Sequence, residues 1–333
     1  MTNPVLVEIL REARVESAHR GAVAVVDADG RAVLTLGDAS RPIYPRSAVK
    51  ALQALPLVET GAAEQYGLGD EELALACASH GGEPAHIAVA ERMLAKLGLN
   101  AGALECGAHW PSHRPASHAL ARAGREPSAL HNNCSGKHAG FVCVACRLGV
   151  DHRGYVAAEH AVQREVRAAI ESMAGVSLSD PAVDGCSVPT WALPLERLAH
   201  AFARFGTGRG LSPERAKAAA RLRAACAAAP FYVAGTGRFG TVVMAHLRAR
   251  VFVKTGAEGV YCGALPGQGL GIAVKCDDGG ARAAEAAMAA LITRFLPLDA
   301  ADRAVLDRFA GPVLRNWNGI EVGEVRPTEA IRR

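Results

Sequence analysis

Apolar and polar positions repeat with two different periods along this chain, and the changes of period place its elements. Near the start, Val5 to Ile9 reads as a strand. Gly21–Val26 and Ala32–Leu36 are short apolar runs on either side of Asp27-Ala28-Asp29-Gly30. Asp-Gly between two such runs is a hairpin signal. The spacing turns helical from Ser47 to Leu55, with Ala48, Leu52 and Leu55 apolar. Pro56 ends or kinks that run. A helix follows that Asp70 can cap, closing near Ser79-His80-Gly81-Gly82. Pro84 opens another, with Gly98 as its stop. Gly107 to His131 reads as loop with one short helix, and an apolar helix runs from the His131–His138 segment through Leu148. Val162, Val166, Ile170 and Met173 mark one more amphipathic helix. Pro194–Phe205 and Ser212–Ala228 are helical, the second capped by Ser212 with Pro213 at its first turn. Val251–Gly256, Val260–Leu265 and Gly271–Cys276 read as strands, Ala281–Phe295 as a helix. The tail from Leu298 reads as a short helix mixed with irregular chain.

Strands at both ends with helices between them predict an α+β fold, its antiparallel sheet assembled from both chain ends around a helical middle. We take residues 1–333 as a single domain, with sheet segments 1–40 and 250–296 and a mainly helical middle 45–230. The chain carries neither internal repeat nor low-complexity linker.

Composition narrows the function classes. Net charge is only +4, with acids and bases interspersed. There is no basic run interleaved with aromatics, which argues against nucleic acid as a partner. No apolar stretch is long enough to span a bilayer, so no membrane partner is expected. Met1 to Leu10 lacks the basic-then-apolar layout of a signal peptide. The nine cysteines are odd in number and lack framework spacing. A cytoplasmic protein with reduced thiols is the expectation.

Four constellations carry candidate chemistry. Ser47 and Lys50 lie one helical turn apart, so hydroxyl and amine can share a face. A serine becomes a nucleophile when a base takes its proton, and burial depresses a lysine's pKa far enough for that task. Free amides at a helix start can stabilise an oxyanion. Lys254-Thr255-Gly256 follows a strand; with Ser47-x-x-Lys50 it gives two of the three marks of serine β-lactamases and penicillin-binding proteins, in order. Either mark also occurs as an ordinary helix start or strand-end turn. Ser79 supplies a second hydroxyl, although Ser79-His80-Gly81-Gly82 also reads as a terminating helix. His80 is a base on one view and a partly exposed loop histidine on the other. Cys134 and Lys137 share a helix face beside His138, and Cys186 sits in a distant polar turn. Two thiolates suit zinc, but a lysine ligand must be neutral and buried cysteine is often simply core. Cys143-x-x-Cys146 lies inside an apolar helix and reads as packing. Gly235–Gly240 reads as a loop, without the Lys-Ser/Thr of a phosphate loop.

Together the segments Tyr44–Lys50, Ala78–Pro84, His131–His138, Asp184–Pro189 and Val253–Gly259 resemble the Rhizobium-type, or class 3, L-asparaginases. The resemblance implies a fold like serine β-lactamases and one class of glutaminases, a homodimer, and hydrolysis of L-asparagine to L-aspartate and ammonia. Carried over by motif, Ser47 is the nucleophile and Lys50 its partner. Ser79 and Lys254 form a second serine–lysine pair, with Lys275 a weaker candidate for the role of Lys254. Arg46, His80, Asn133, Asp184 and Gly256 fall to substrate binding. Cys134, Lys137 and Cys186 would hold one zinc ion, not as the water-activating group. The alternatives are a glutaminase or another serine amidohydrolase of this fold and, outside enzymes, a zinc-binding protein.

Overall fold

The computed structural model describes residues 2–333, which form two compact units. The first runs through Ala48 and takes in Ala192–Gly210 and Arg250–Arg333; the second comprises Val49–Trp191 and Leu211–Ala249.

The first unit is built on an eight-stranded antiparallel sheet. Its strands are β1 (Val5–Arg11), β2 (Arg14–Asp27), β3 (Ala32–Leu36), β4 (Phe252–Thr255), β5 (Val260–Leu265), β6 (Leu270–Cys276), β7 (Val313–Arg315) and β8 (Glu321–Pro327). They lie in the order β7-β8-β1-β2-β6-β5-β4, with β3 also pairing to β2. β2 is long enough to serve two neighbours. Its first half pairs with β1 and its second half, from Gly21, with β6. Gly21 permits the change, since a Cβ there would sit 2.2 Å from the Lys275 carbonyl oxygen.

Small residues set the packing on both faces. A Cβ on Gly271 would lie 1.9 Å from the Ala199 carbonyl, so the Leu195–Thr207 helix rests backbone-on-backbone against β6. Gly263 on β5 meets the Met288 sulfur of the Ala281–Phe295 helix instead. Gly271 is paired to Ala264 and Gly263 to Ile272. Because successive strand residues point to opposite faces, the two helices cover opposite sides of the sheet.

The sheet from both chain ends and the helical middle appear as the patterning predicts. The tail needs correction. After the Ala300–Ala310 helix it forms β7 and β8, and β8 pairs along β1 from Val7↔Pro327 to Arg11↔Gly323. Only Val325 and Pro327 of β8 are buried, so the segment lacks the alternation that marks a half-buried strand.

In the second unit the Ser135–Leu148 helix runs through the middle, buried from Ser135 to Ala145. Gly136 and Gly140 occupy one face of it. A Cβ on Gly136 would lie 2.4 Å from the Leu75 carbonyl, which brings the helix into direct contact with Asp70–Ala76. The Asp70 cap is corrected: Gly69 is the N-cap, and the Glu72 carboxylate accepts its N–H at 3.0 Å. The early helical run breaks at Ala54 and resumes as Leu55–Glu59 with Pro56 in its first turn, the interruption expected of Pro56. Gly235–Arg238 is a loop as read, and Phe239 opens a helix to Leu247. Among the described residues no helix is long and apolar enough to cross a membrane.

Candidate active site

In the first unit, Ser47 lies in a single 3-10 turn, Arg46–Val49, that leads directly into the Lys50–Gln53 helix. Arg46 just before it adopts φ +51°, a left-handed conformation costly for a residue with a Cβ. That turn is braced by β4. A Cβ on Gly256 would fall 2.6 Å from the Pro45 carbonyl oxygen and 3.3 Å from the Ala48 methyl. Glycine is therefore required at the end of Lys254-Thr255-Gly256 by close packing, at the place where the Ser47 turn begins. Lys254 is buried, and its amine donates to the Thr255 carbonyl at 2.8 Å. Lys275, on β6, donates to the Cys276 carbonyl.

In the second unit, Lys50 has no exposed surface. Its amine donates to the Ala78 carbonyl at 2.6 Å and to Ser79 Oγ at 2.9 Å, and reaches the Asn133 carbonyl at 3.5 Å. The lysine one turn beyond Ser47 is thus hydrogen-bonded to Ser79. The Ser79 N–H donates to the Val233 carbonyl, holding the hydroxyl-bearing residue in place from the backbone.

His80 lies in irregular chain as read but departs from expectation in its burial: it is 1% exposed and does not face solvent. Its Nδ1 accepts the Gly82 N–H at 3.1 Å and its Nε2 lies 2.9 Å from Ser135 Oγ. Burial, then the neighbouring His86 and Lys50, hold its pKa well below the usual histidine value. Ser135 and His86 were not singled out by sequence. Ser135 could have been, since it lies inside the His131–His138 motif.

Cys134, Lys137 and Cys186 converge, all buried. The Lys137 amine donates to Cys186 Sγ at 3.1 Å, and Cys134 donates to Asn133 Oδ1 at 3.0 Å. Asp184 Oδ2 lies 3.8 Å from Cys186 Sγ. The bond from Cys186 and, after it, the Lys50 and Lys137 amines depress the Cys134 pKa strongly against burial; Cys186 is raised, first by Cys134 and then by burial. Burial pulls the Lys137 pKa down, but the two thiols outweigh it and raise it. Among the described residues no cluster of three or more His, Cys, Asp or Glu side chains is placed to hold a metal. The fit to zinc therefore rests on two thiols with an amine between them. This donor set fits the ion once both thiols and Lys137 release their protons. Cys143 is buried and its thiol is pushed up to about 12 by burial, as befits a packing residue.

A profile of the L-asparaginase II family matches residues 7–327, nearly the whole chain. The chain belongs to the L-asparaginase II family. The resemblance carried by the five motif segments is borne out at that level. No curated protein matches the chain. Among solved structures it is similar to the native form of a protein called Mglu, at 17% identity over 80% of this chain and 61% of that one, with a TM-score of 0.43. It is also similar to a β-lactamase from Mycobacterium bovis (16% identity, 79% and 89% covered, TM-score 0.39). A simvastatin synthase from Aspergillus terreus is a third (11%, 77% and 86%, TM-score 0.38). The chain spans about three fifths of the length of Mglu.

Proposed function

We propose that this L-asparaginase II family member hydrolyses the side-chain amide of L-asparagine, giving L-aspartate and ammonia through an acyl-enzyme on Ser47. The observation that supports it most is the buried Lys50 amine, 2.9 Å from Ser79 Oγ and one turn along the chain from Ser47. In this reading the amine form of Lys50 takes the Ser47 proton as Oγ attacks the amide carbon. The carbon–nitrogen bond breaks, and the nitrogen leaves as ammonia with a proton returned through Ser79 and the lysines. Water then cleaves the β-aspartyl ester and frees Ser47. Backbone amides at the start of the Ser47 turn are the oxyanion donors. Arg46, Asn133 and Asp184 serve the charged end of the substrate.

Cys134, Lys137 and Cys186 would hold zinc, the two thiolates balancing its charge, and the ion would then supply a Lewis-acidic point that orients polar groups. Neutral Lys137 completes the shell without adding charge. The same reading carries self-association as a homodimer, which analytical ultracentrifugation tests.

Glutamine is one methylene longer than asparagine, a difference worth about 10–200-fold in a pocket that senses it. Ammonia release from the two amides, with acid-quenched peptide mass spectrometry for an adduct on Ser47, decides the matter. Faster turnover of glutamine reassigns the substrate. An adduct on another serine removes the nucleophile assignment. Absence of turnover on both amides, with zinc retained, leaves a zinc-binding protein.

A further inference from the structure

Two backbone segments flank the Lys50 amine: Ala78–Gly82, which carries Ser79, and Asn132–Ser135, which opens the Ser135–Leu148 helix. Lys50 bonds to both, through Ala78 O and Ser79 Oγ on one side and Asn133 O on the other. A shift of either segment therefore moves the amine relative to the Ser79 hydroxyl. His80 ties the two segments together with two bonds. Its backbone N–H donates to the Asn133 carbonyl at 3.3 Å, and its ring Nε2 meets Ser135 Oγ at 2.9 Å. The ring is stacked on His86 with centroids 4.8 Å apart, so it does not rotate freely.

Its proton is fixed as well. The Gly82 N–H can only donate, so Nδ1 must present its lone pair. In the neutral ring the proton then sits on Nε2 and is given to Ser135 Oγ. Nothing remains on His80 to accept a substrate proton, and burial leaves it no surface for substrate.

We propose that His80 is a positioning residue, a neutral strut whose Nε2–H bond to Ser135 holds the Lys50–Ser79 pair in register. The proposal rests on the amidohydrolase reading above, and two isosteric substitutions separate it from other roles. In His80→Gln the side-chain amide can take the place of Nε2–H and still donate to Ser135. In His80→Asn the shorter side chain can take the place of Nδ1 and accept from Gly82, but it loses Ser135. The strut requires that His80→Gln keep kcat within about threefold of the parent. His80→Asn and Ser135→Ala should each lose about 10–100-fold in kcat with KM within about twofold, as for loss of alignment rather than of binding. The double variant His80→Asn/Ser135→Ala should be no worse than the poorer single, because both remove one bond.

Equal losses in His80→Gln and His80→Asn, accompanied by the disappearance of an ionisation from the kcat–pH profile, would make His80 a base and overturn the proposal. A rise in KM with kcat preserved would make it a substrate group, with the same consequence. Multiplying losses in the double variant would break the link to Ser135. Nitrogen-15 NMR of histidine-labelled protein, with His80→Gln to identify the signal, tests the strut without any substrate. The expected signature is a bare Nδ1 and a protonated Nε2 between about pH 6 and 9; a protonated Nδ1 refutes the strut. If the parent fails to hydrolyse asparagine while this signature is present, the assigned function is at fault and the strut stands.

Discussion

Substituting Gly256 by alanine tests whether the end of β4 sets the position of Ser47. The added methyl would lie 2.6 Å from the Pro45 carbonyl oxygen, whereas ordinary contact begins near 3.4 Å. The difference, 3.4 − 2.6, asks for roughly 0.8 Å of retreat. Neither partner yields easily, because one is the backbone of the Ser47 turn and the other the backbone of a paired strand. Overpacking of this kind costs about 1–3 kcal/mol. A misplacement near 1 Å at reacting groups costs about a hundredfold in turnover. Gly256→Ala should therefore lose about 1–3 kcal/mol in urea denaturation and about 30–100-fold in kcat, with KM little changed. Gly267→Ala is the control. It lies in the same unit with no atom within 4 Å of the added methyl, and should stay within about 0.5 kcal/mol and twofold in kcat. If Gly256→Ala behaves like Gly267→Ala, the strand end does not brace the nucleophile. Lost stability with full kcat would show packing without a catalytic consequence.

Ser47→Ala should fold and lose turnover by about a thousandfold or more; folded protein retaining over about a hundredth of parent activity would disprove the nucleophile. Under the proposed mechanism Lys50→Met and Lys254→Met should both lose activity; near-parent turnover by either variant between about pH 7 and 9 shows that lysine dispensable. Elemental analysis should find about one zinc per chain in purified parent and little in Cys134→Ser or Cys186→Ser, and full zinc in both variants rules the site out. Glu72 gives the pH prediction: burial acts to raise its pKa, but bonds from Arg92 (2.8 Å) and Lys96 (3.0 Å) outweigh it and hold the carboxyl at about 2. Its stabilisation is fully present above the unfolded value near ~4.5 and fades as pH falls through about 2. Glu72→Gln should cost about 1–2 kcal/mol at pH 7, with the gap to parent closing below about pH 4; a gap that widens in acid contradicts the pairing.

What was legible in the sequence follows a physical line. The Ala281–Phe295 helix, the Asp27–Gly30 hairpin and the Ser212 cap were readable because the signals are local. Lys50, Ser79 and Cys134 were readable as motif residues. β8 was not, because its partner strand β1 lies more than three hundred positions away and few of its side chains are buried. The character of His80 was hidden for a similar reason. A histidine between serine and glycine reads as a loop residue, and only the packing of Ser135 and His86 around it makes it interior.

The pairing of β1 with β8 also has a consequence for synthesis. On a ribosome, β1 emerges first and has β2 beside it at once, but its other edge waits for Glu321–Pro327. Through nearly the whole of translation, that edge presents unpaired amides and carbonyls to the cell. The helical unit meanwhile has all its residues by Ala249, before β4 has been made. The two units therefore complete in reverse of the order in which they begin, the helical unit by Ala249 and the sheet only with Glu321–Pro327.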